Sequence, residues 1–123
     1  MYSLKNSDME KEFFRAVESN DVQKVINLVK ENNVDVNSCD YENDYDSALH
    51  KATVRGNLDM IKVLVEELNA DVNQDNIGGD LPIHLAGSDS YFNLDIIKYF
   101  IEKGSSDVED VQDILEQYDG KKD

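Results

Sequence analysis

Four apolar positions recur in step along the chain, thirty-six residues apart. Val22, Leu58 and Leu94 form one column, and Val25, Ile61 and Ile97 the next. Leu28, Leu64 and Phe100 form a third, followed by Val29, Val65 and Ile101. Within each copy these positions share one face of a helix. A period in this range predicts a stacked helical array, in which each unit buries its apolar face against its neighbours. The clearest unit runs from Ser47 to Asn73, as a short helix, a tight turn, a longer helix and an Asp-Val-Asn exit.

Polar punctuation repeats with the stripe. Asn20-Asp21, Gly56-Asn57 and Phe92-Asn93 mark turns between paired helices. Asp21, Asn57 and Asn93 sit just before the stripe, where a side-chain oxygen accepts an unpaired helix N–H. Two residues on stand Gln23, Asp59 and Asp95, the two acids being favoured there by the helix dipole. Asn33, Asn69 and Gly104 close the second helices as residue types that tolerate a left-handed cap. The first of these helices is expected over Val22 to Glu31.

Ser7 with Glu10 three residues on has the spacing of a capping box, opening a helix that carries Phe13, Phe14, Ala16 and Val17. The first helix of each pair is expected to be roughly eight residues, too short to hold in water without packing. Ala16, Ala52 and Ala86 occupy equivalent positions in these helices and let their neighbours approach closely. After the third unit, Val108, Val111, Ile114, Leu115 and Tyr118 share one face. They predict a C-terminal capping helix over 107–118, with a frayed tail at 119–123.

Composition narrows the functional classes. With 123 residues, 40% of them apolar and 32% charged, the chain reads as one globular domain. The net charge is -15, from 27 acids against 12 bases. That opposes nucleic acid and anionic membranes, whose recognition needs clustered Lys and Arg. A basic protein surface suits it better, although acidity also serves to keep an open-ended stack soluble. Cys39 is the sole cysteine, so no intrachain disulfide forms. The opening residues have no apolar run of a signal peptide, and no stretch reaches membrane-span length. A monomer in the cytoplasm or nucleus is the expectation.

The motifs resemble those of ankyrin repeats. Ser47-Ala48-Leu49-His50 and Leu81-Pro82-Ile83-His84 are similar to that family's Thr-Pro-Leu-His motif. Val34-Asp35-Val36-Asn37 and Ala70-Asp71-Val72-Asn73 resemble its exit from the second helix. Gly56-Asn57-Leu58 matches its inter-helix turn, and Gly79 the glycine before the motif. The resemblance implies an all-α solenoid with β-turn fingers, comprising three helix pairs at about 8–40, 41–76 and 77–107 and the C-terminal cap. It also implies a structural role for Ser47, His50, Gly56, Gly79, Pro82 and His84. Departures from the pattern are local. Phe14 stands where the first unit would have His, and Asn32 and Leu68 look like one-residue extensions of the second helices. The third unit lacks a hydroxyl at Leu81 and carries two extra residues within Gly87 to Phe92. Its exit, Gly104-Ser105-Ser106-Asp107, has lost the Asp-Val-Asn pattern, which puts a third finger in doubt.

Catalytic and metal chemistry find little support. His50 and His84 fall in the repeat register, and Cys39 is at no recognised metal spacing from either. Asp40 to Asp46 superficially resembles a calcium loop, but Tyr45 replaces its glycine and Lys51 stands where its bidentate Glu belongs. No phosphate-cradling glycine loop is present. The expectation is a non-enzyme without cofactor or metal.

The same acidic run reads better as a finger, with Tyr41 and Tyr45 expected to be exposed among four acids, a composition suited to recognition. The resemblance places partner contacts on finger tips and at the ends of short helices. Here those are Tyr41, Asn43, Asp44, Asp46, Ile77 and Asp80, with Val54, Arg55, Asp89, Tyr91 and Phe92. The implied function is binding of another protein with a basic patch. Regulatory inhibitors of the myotrophin, cyclin-kinase or NF-κB-directed kinds, and host-directed microbial or viral effectors, are admissible versions. The opening Lys11-Glu12-Phe13 is similar to the small stand-alone type. A different reading makes Asn37 and Asn73 substrates of asparagine hydroxylation, as the Asp-Val-Asn context of the family implies.

Overall fold

The computed structural model describes residues 4–106 together with Asp113 and Glu116. The described chain is a stack of three antiparallel helix pairs. The first pair is α1 (Asp8–Glu18) and α2 (Val22–Lys30). The second is α3 (Ala48–Val54) and α4 (Leu58–Lys62), the latter continuing as a π-helical turn over Val63–Glu67. The third is α5 (Pro82–Ala86) and α6 (Leu94–Glu102). A hairpin of β1 (Cys39–Asp40) and β2 (Asp46–Ser47) links the first pair to the second.

Sequence chemistry sets each boundary. Ser7 Oγ accepts from Glu10 N–H at 3.1 Å while the Glu10 carboxylate accepts from Ser7 N–H at 2.7 Å, a complete capping box. Asp21, Asn57 and Asn93 each accept from the N–H three residues on, at 3.2, 3.2 and 3.1 Å. Asn33, Asn69 and Gly104 lie at φ 58°, 61° and 93°, so the left-handed residues fall where the stop signals place them. The helices proper end a little earlier, α2 at Lys30 with Glu31 as its cap. The first helices are also less uniform than expected, with 11, 7 and 5 residues. α1 is longest because its own capping box starts it early.

The repeat departures have definite solutions. Asp21 and Asn57 N–H groups bond the Ala16 and Ala52 carbonyls five residues back, at 2.8 and 3.0 Å. Asn93 makes the same bond to Ala86 at 2.9 Å from seven residues away, so the two extra residues bulge out without moving the helices. The extension in the second unit is absorbed as the π turn, with Leu68 N–H bonding Val63 O at 3.2 Å. At the exits Val34 bonds Leu28 O and Ala70 bonds Leu64 O six residues back, whereas Ser105 bonds Phe100 O five back. The exit of the third unit is therefore one residue tighter, although α6 and α2 have the same nine residues.

The core runs continuously through the stack. Val25, Ile61, Ile97, Leu28, Leu64 and Phe100 are buried, while the columns Val22/Leu58/Leu94 and Val29/Val65/Ile101 are half-buried along its edge. α3 packs on both α1 and α5, and six of its seven residues are buried. A seven-residue helix has no stability alone, so its neighbours hold it. The predicted C-terminal helix lies outside the described residues except Asp113 and Glu116, which are helical and exposed.

Leu64, fully buried in the central second helix, tests this account. Leu64→Ala is expected to cost about 2–5 kcal/mol, enough to unfold much of so small a stack. A circular-dichroism melt coincident with the parent would contradict the register.

Candidate functional site

The acidic run forms the first finger. Cys39 pairs with Ser47 and Asp40 with Asp46 in antiparallel register. Asp46 N–H bonds Asn43 O at 3.0 Å across a turn whose central residues, Asp44 and Tyr45, lie at φ 59° and 58°. Two successive left-handed residues are the geometry of the type I′ hairpin turn. A tyrosine seldom adopts it, so the surroundings must hold Tyr45 there.

Three attachments hold this finger. On its outer edge the Asn6 carboxamide donates to Cys39 O at 2.8 Å and accepts from Tyr41 N–H at 3.0 Å. On its inner edge Asp44 O accepts from Ile77 N–H at 2.8 Å, and Asp46 Oδ1 from Asn76 Nδ2 at 3.0 Å. At its base Lys51 Nζ lies 2.9 Å from Asp40 Oδ2 and 3.2 Å from Glu18 Oε1, with the Phe14 ring 5.2 Å beneath. Phe14 therefore offers the Lys51 ammonium a cation–π face where a His stands in the other units. Glu18 also receives Arg55 at 3.3 Å.

Burial pushes the Asp40 carboxyl up, but the bonds from Lys51 and Asn43, with that of the Glu42 N–H, outweigh it and hold Asp40 below its ordinary value. Lys51 thus supplies a cation from within the chain to the run that resembled a calcium loop. Among the described residues, no group of three or more His, Cys, Asp and Glu converges on a common point.

The second finger is a turn from Asn76 to Asp80. Asn76 Oδ1 accepts from the Gly78 and Asp80 N–H groups at 3.0 Å each, and Gly79 at φ 81° bonds Asn76 O at 3.0 Å. His50 ties it to the second unit. Its Nε2 lies 2.7 Å from Asp80 O, which can only accept, so Nε2 carries the hydrogen. Nδ1 then accepts from Ser47 N–H at 3.1 Å and from Ser47 Oγ at 2.7 Å. Burial holds this imidazole below its ordinary pKa. Leu81 supplies no hydroxyl, and its N–H donates to His84 Nδ1 at 2.9 Å. Pro82 occupies the first turn of α5, and Gly56, at φ 68°, the turn into α4.

The sequence-derived contact residues divide into two groups. Asn43, Asp44, Asp46, Val54 and Arg55 line one cleft of about 260 Å³ with Glu18 and Lys51. Ile77 joins it through Asp44, and Asp80 through His50 and Asn76. Asp89, Tyr91 and Phe92 belong to the bulged turn between α5 and α6 and do not line this cleft. The tyrosines are not the fully exposed pair expected. Tyr41 and Tyr45 are half-buried and pack edge to face, centroids 5.2 Å apart, each ring removing part of the other from water. Ile77, by contrast, is 66% exposed.

Asn37 and Asn73 form a second ladder. Asn37 Oδ1 accepts from Asp71 N–H at 2.8 Å and Asn73 Oδ1 from Ser106 N–H at 2.7 Å. Ser106 thereby follows the path of Asp71 although the Asp-Val-Asn pattern is gone. Asn6, Lys51 and Glu18 were not singled out as functional from the sequence. The one signal for Lys51 was a charge beside His50 in an otherwise buried helix.

This is an interaction scaffold: stacked helix pairs, fingers bonded edge to edge, and a polar cleft beneath them. A model of ankyrin repeats matches residues 13–112 in three copies, and the chain belongs to the ankyrin repeat family. Repeats of this family are protein–protein interaction modules, typically non-catalytic. No curated protein matches the chain.

Two stability experiments test the site. Lys51→Ala strands the shielded Asp40 carboxylate and is expected to cost about 3 kcal/mol, against about 1 or less for exposed Arg55→Ala. Equal effects in urea titrations would contradict the buried bridge. Folding also depends on pH through His50. The unfolded chain takes up a proton near 6.5 that the folded site disfavours. Its contribution is full above that pH and is lost as pH falls from about 6.5 toward the lower folded value. Parent protein should lose more stability than His50→Gln between pH 7 and 5, and parallel curves would contradict the assignment.

Proposed function

We propose that this protein is a non-catalytic interaction module whose finger face binds a protein partner rich in Lys and Arg. One observation carries the reading. Among the described residues, Asp44, Asp46 and Asp80 have no ion pair within 4.0 Å, whereas the neighbouring cations Lys51 and Arg55 are committed to Asp40 and Glu18. The face therefore presents carboxylates whose charge is uncompensated locally, on a chain whose net charge is -15. Such a field accelerates encounter with a basic surface and weakens with salt. Ile77 adds an exposed apolar contact at the same place.

A display library of random peptides, panned against the protein at physiological salt, tests the proposal. Recovered binders should be enriched in Lys and Arg and should lose at least about tenfold in affinity on Tyr41→Ala with Asp44→Lys. The control, Asp89→Lys with Tyr91→Ala, should leave binding intact. Binders without basic enrichment, or sensitive only to the control, would overturn the reading.

A further inference from the structure

We propose that Asn6 is a positioning residue for the acidic finger, engaging with one side chain the outer-edge groups that a neighbouring strand would engage. The inference rests on the finger-face reading above and goes beyond it in assigning the recognition geometry to a residue outside every repeat. Cys39 O, on β1, and Tyr41 N–H, just past its end, flank Asp40 on the outer edge of the finger, the two groups that a neighbouring extended strand would engage. One carboxamide engages both, donating at 2.8 Å and accepting at 3.0 Å. Asparagine and glutamine alone carry a neutral donor and acceptor in that arrangement.

The other edge of the finger is tied to its successor by the Ile77 N–H, so the finger is gripped from both sides. Asn6 is buried while Leu4, Lys5, Ser7 and Asp8 around it are exposed, so the short approach to α1 is anchored at this side chain. The contact bears on recognition through Tyr41. Fixing its backbone fixes the ring against which Tyr45 packs, and Tyr45 with Asp44 occupies the left-handed turn that presents the acid. An acid held in its binding geometry loses less freedom when a partner arrives.

Two arms test the proposal on the full chain. In the first, amide hydrogen exchange compares the parent with Asn6→Ala. Exchange at Tyr41 should quicken by on the order of tenfold, and Ile77 on the far side should quicken too, while Val17 in α1 stays unchanged. Quickening at Tyr41 alone would reduce Asn6 to a local contact and overturn positioning. Quickening at Val17 as well would make it a general stability effect, with the same consequence.

In the second arm, the probe is the tightest Lys- and Arg-rich peptide from the display selection. Asn6→Ala should leave its association rate unchanged, since no charge changes, and raise its dissociation rate roughly threefold or more. Asp44→Lys should instead slow association. An unaltered dissociation rate with Asn6→Ala overturns the inference even if Asp44→Lys acts as expected. If no basic peptide is recovered, the finger-face reading fails, and the exchange arm still decides whether Asn6 holds the finger.

Discussion

No single unit of this chain is thick enough to bury its own apolar stripe, and everything else follows from that constraint. The columns through Val25, Ile61 and Ile97 and through Leu28, Leu64 and Phe100 leave water only because the pairs stack. Close stacking needs small residues between first helices, and Ala16, Ala52 and Ala86 provide them. It also needs identical chain paths from unit to unit. The recurring bond from each N-cap amide to those alanine carbonyls keeps the path even where two residues are inserted. Stability is then a property of interfaces between units, concentrated on α3, which touches both neighbours.

Polar ladders run beside the apolar core and convert stacking into a surface. Asn6, the first finger and the second finger are joined edge to edge. Asn37 and Asn73 do the same for the exits, and His50 spans from the second unit to Asp80. Lys51 closes the base of the first finger by bridging Asp40 and Glu18, and Arg55 adds a second cation at Glu18. Among the described residues, Asp44, Asp46 and Asp80 have no ion pair, Asp46 being held instead by the Asn76 carboxamide. In this way the scaffold separates the carboxylates paired within the chain from those that the proposed partner would meet.

Much of this is legible in the sequence because it is periodic or capped. The stripe, the N-caps Asp21, Asn57 and Asn93, and the left-handed stops at Asn33, Asn69 and Gly104 repeat three times, and repetition separates signal from chance. The Ser47–His50 pair is legible because a local three-residue spacing brings the groups together. Features joining distant positions were hidden. Asn6 meets residues 33 and 35 positions away, and nothing in the opening residues marks it as different from its exposed neighbours. Lys51 gave a charge without its partners, because burial of a lysine depends on Phe14 and Glu18 from the preceding unit. The burial of the tyrosines is hidden for a related reason: the left-handed turn at Asp44 and Tyr45 brings the Tyr41 and Tyr45 rings together. The π turn shows the extra residue of the second unit absorbed within the helix, a choice that repeat spacing alone leaves open.

The central claim is that the helices carry the fold while the fingers carry recognition. Backbone chemical-shift mapping of the full chain with a bound basic peptide tests it most directly. The account predicts perturbation at Tyr41 to Asp46 and Ile77 to Asp80, with the second helices silent. Shifts concentrated at Ser88 to Phe92, or along α2, α4 and α6, would contradict it.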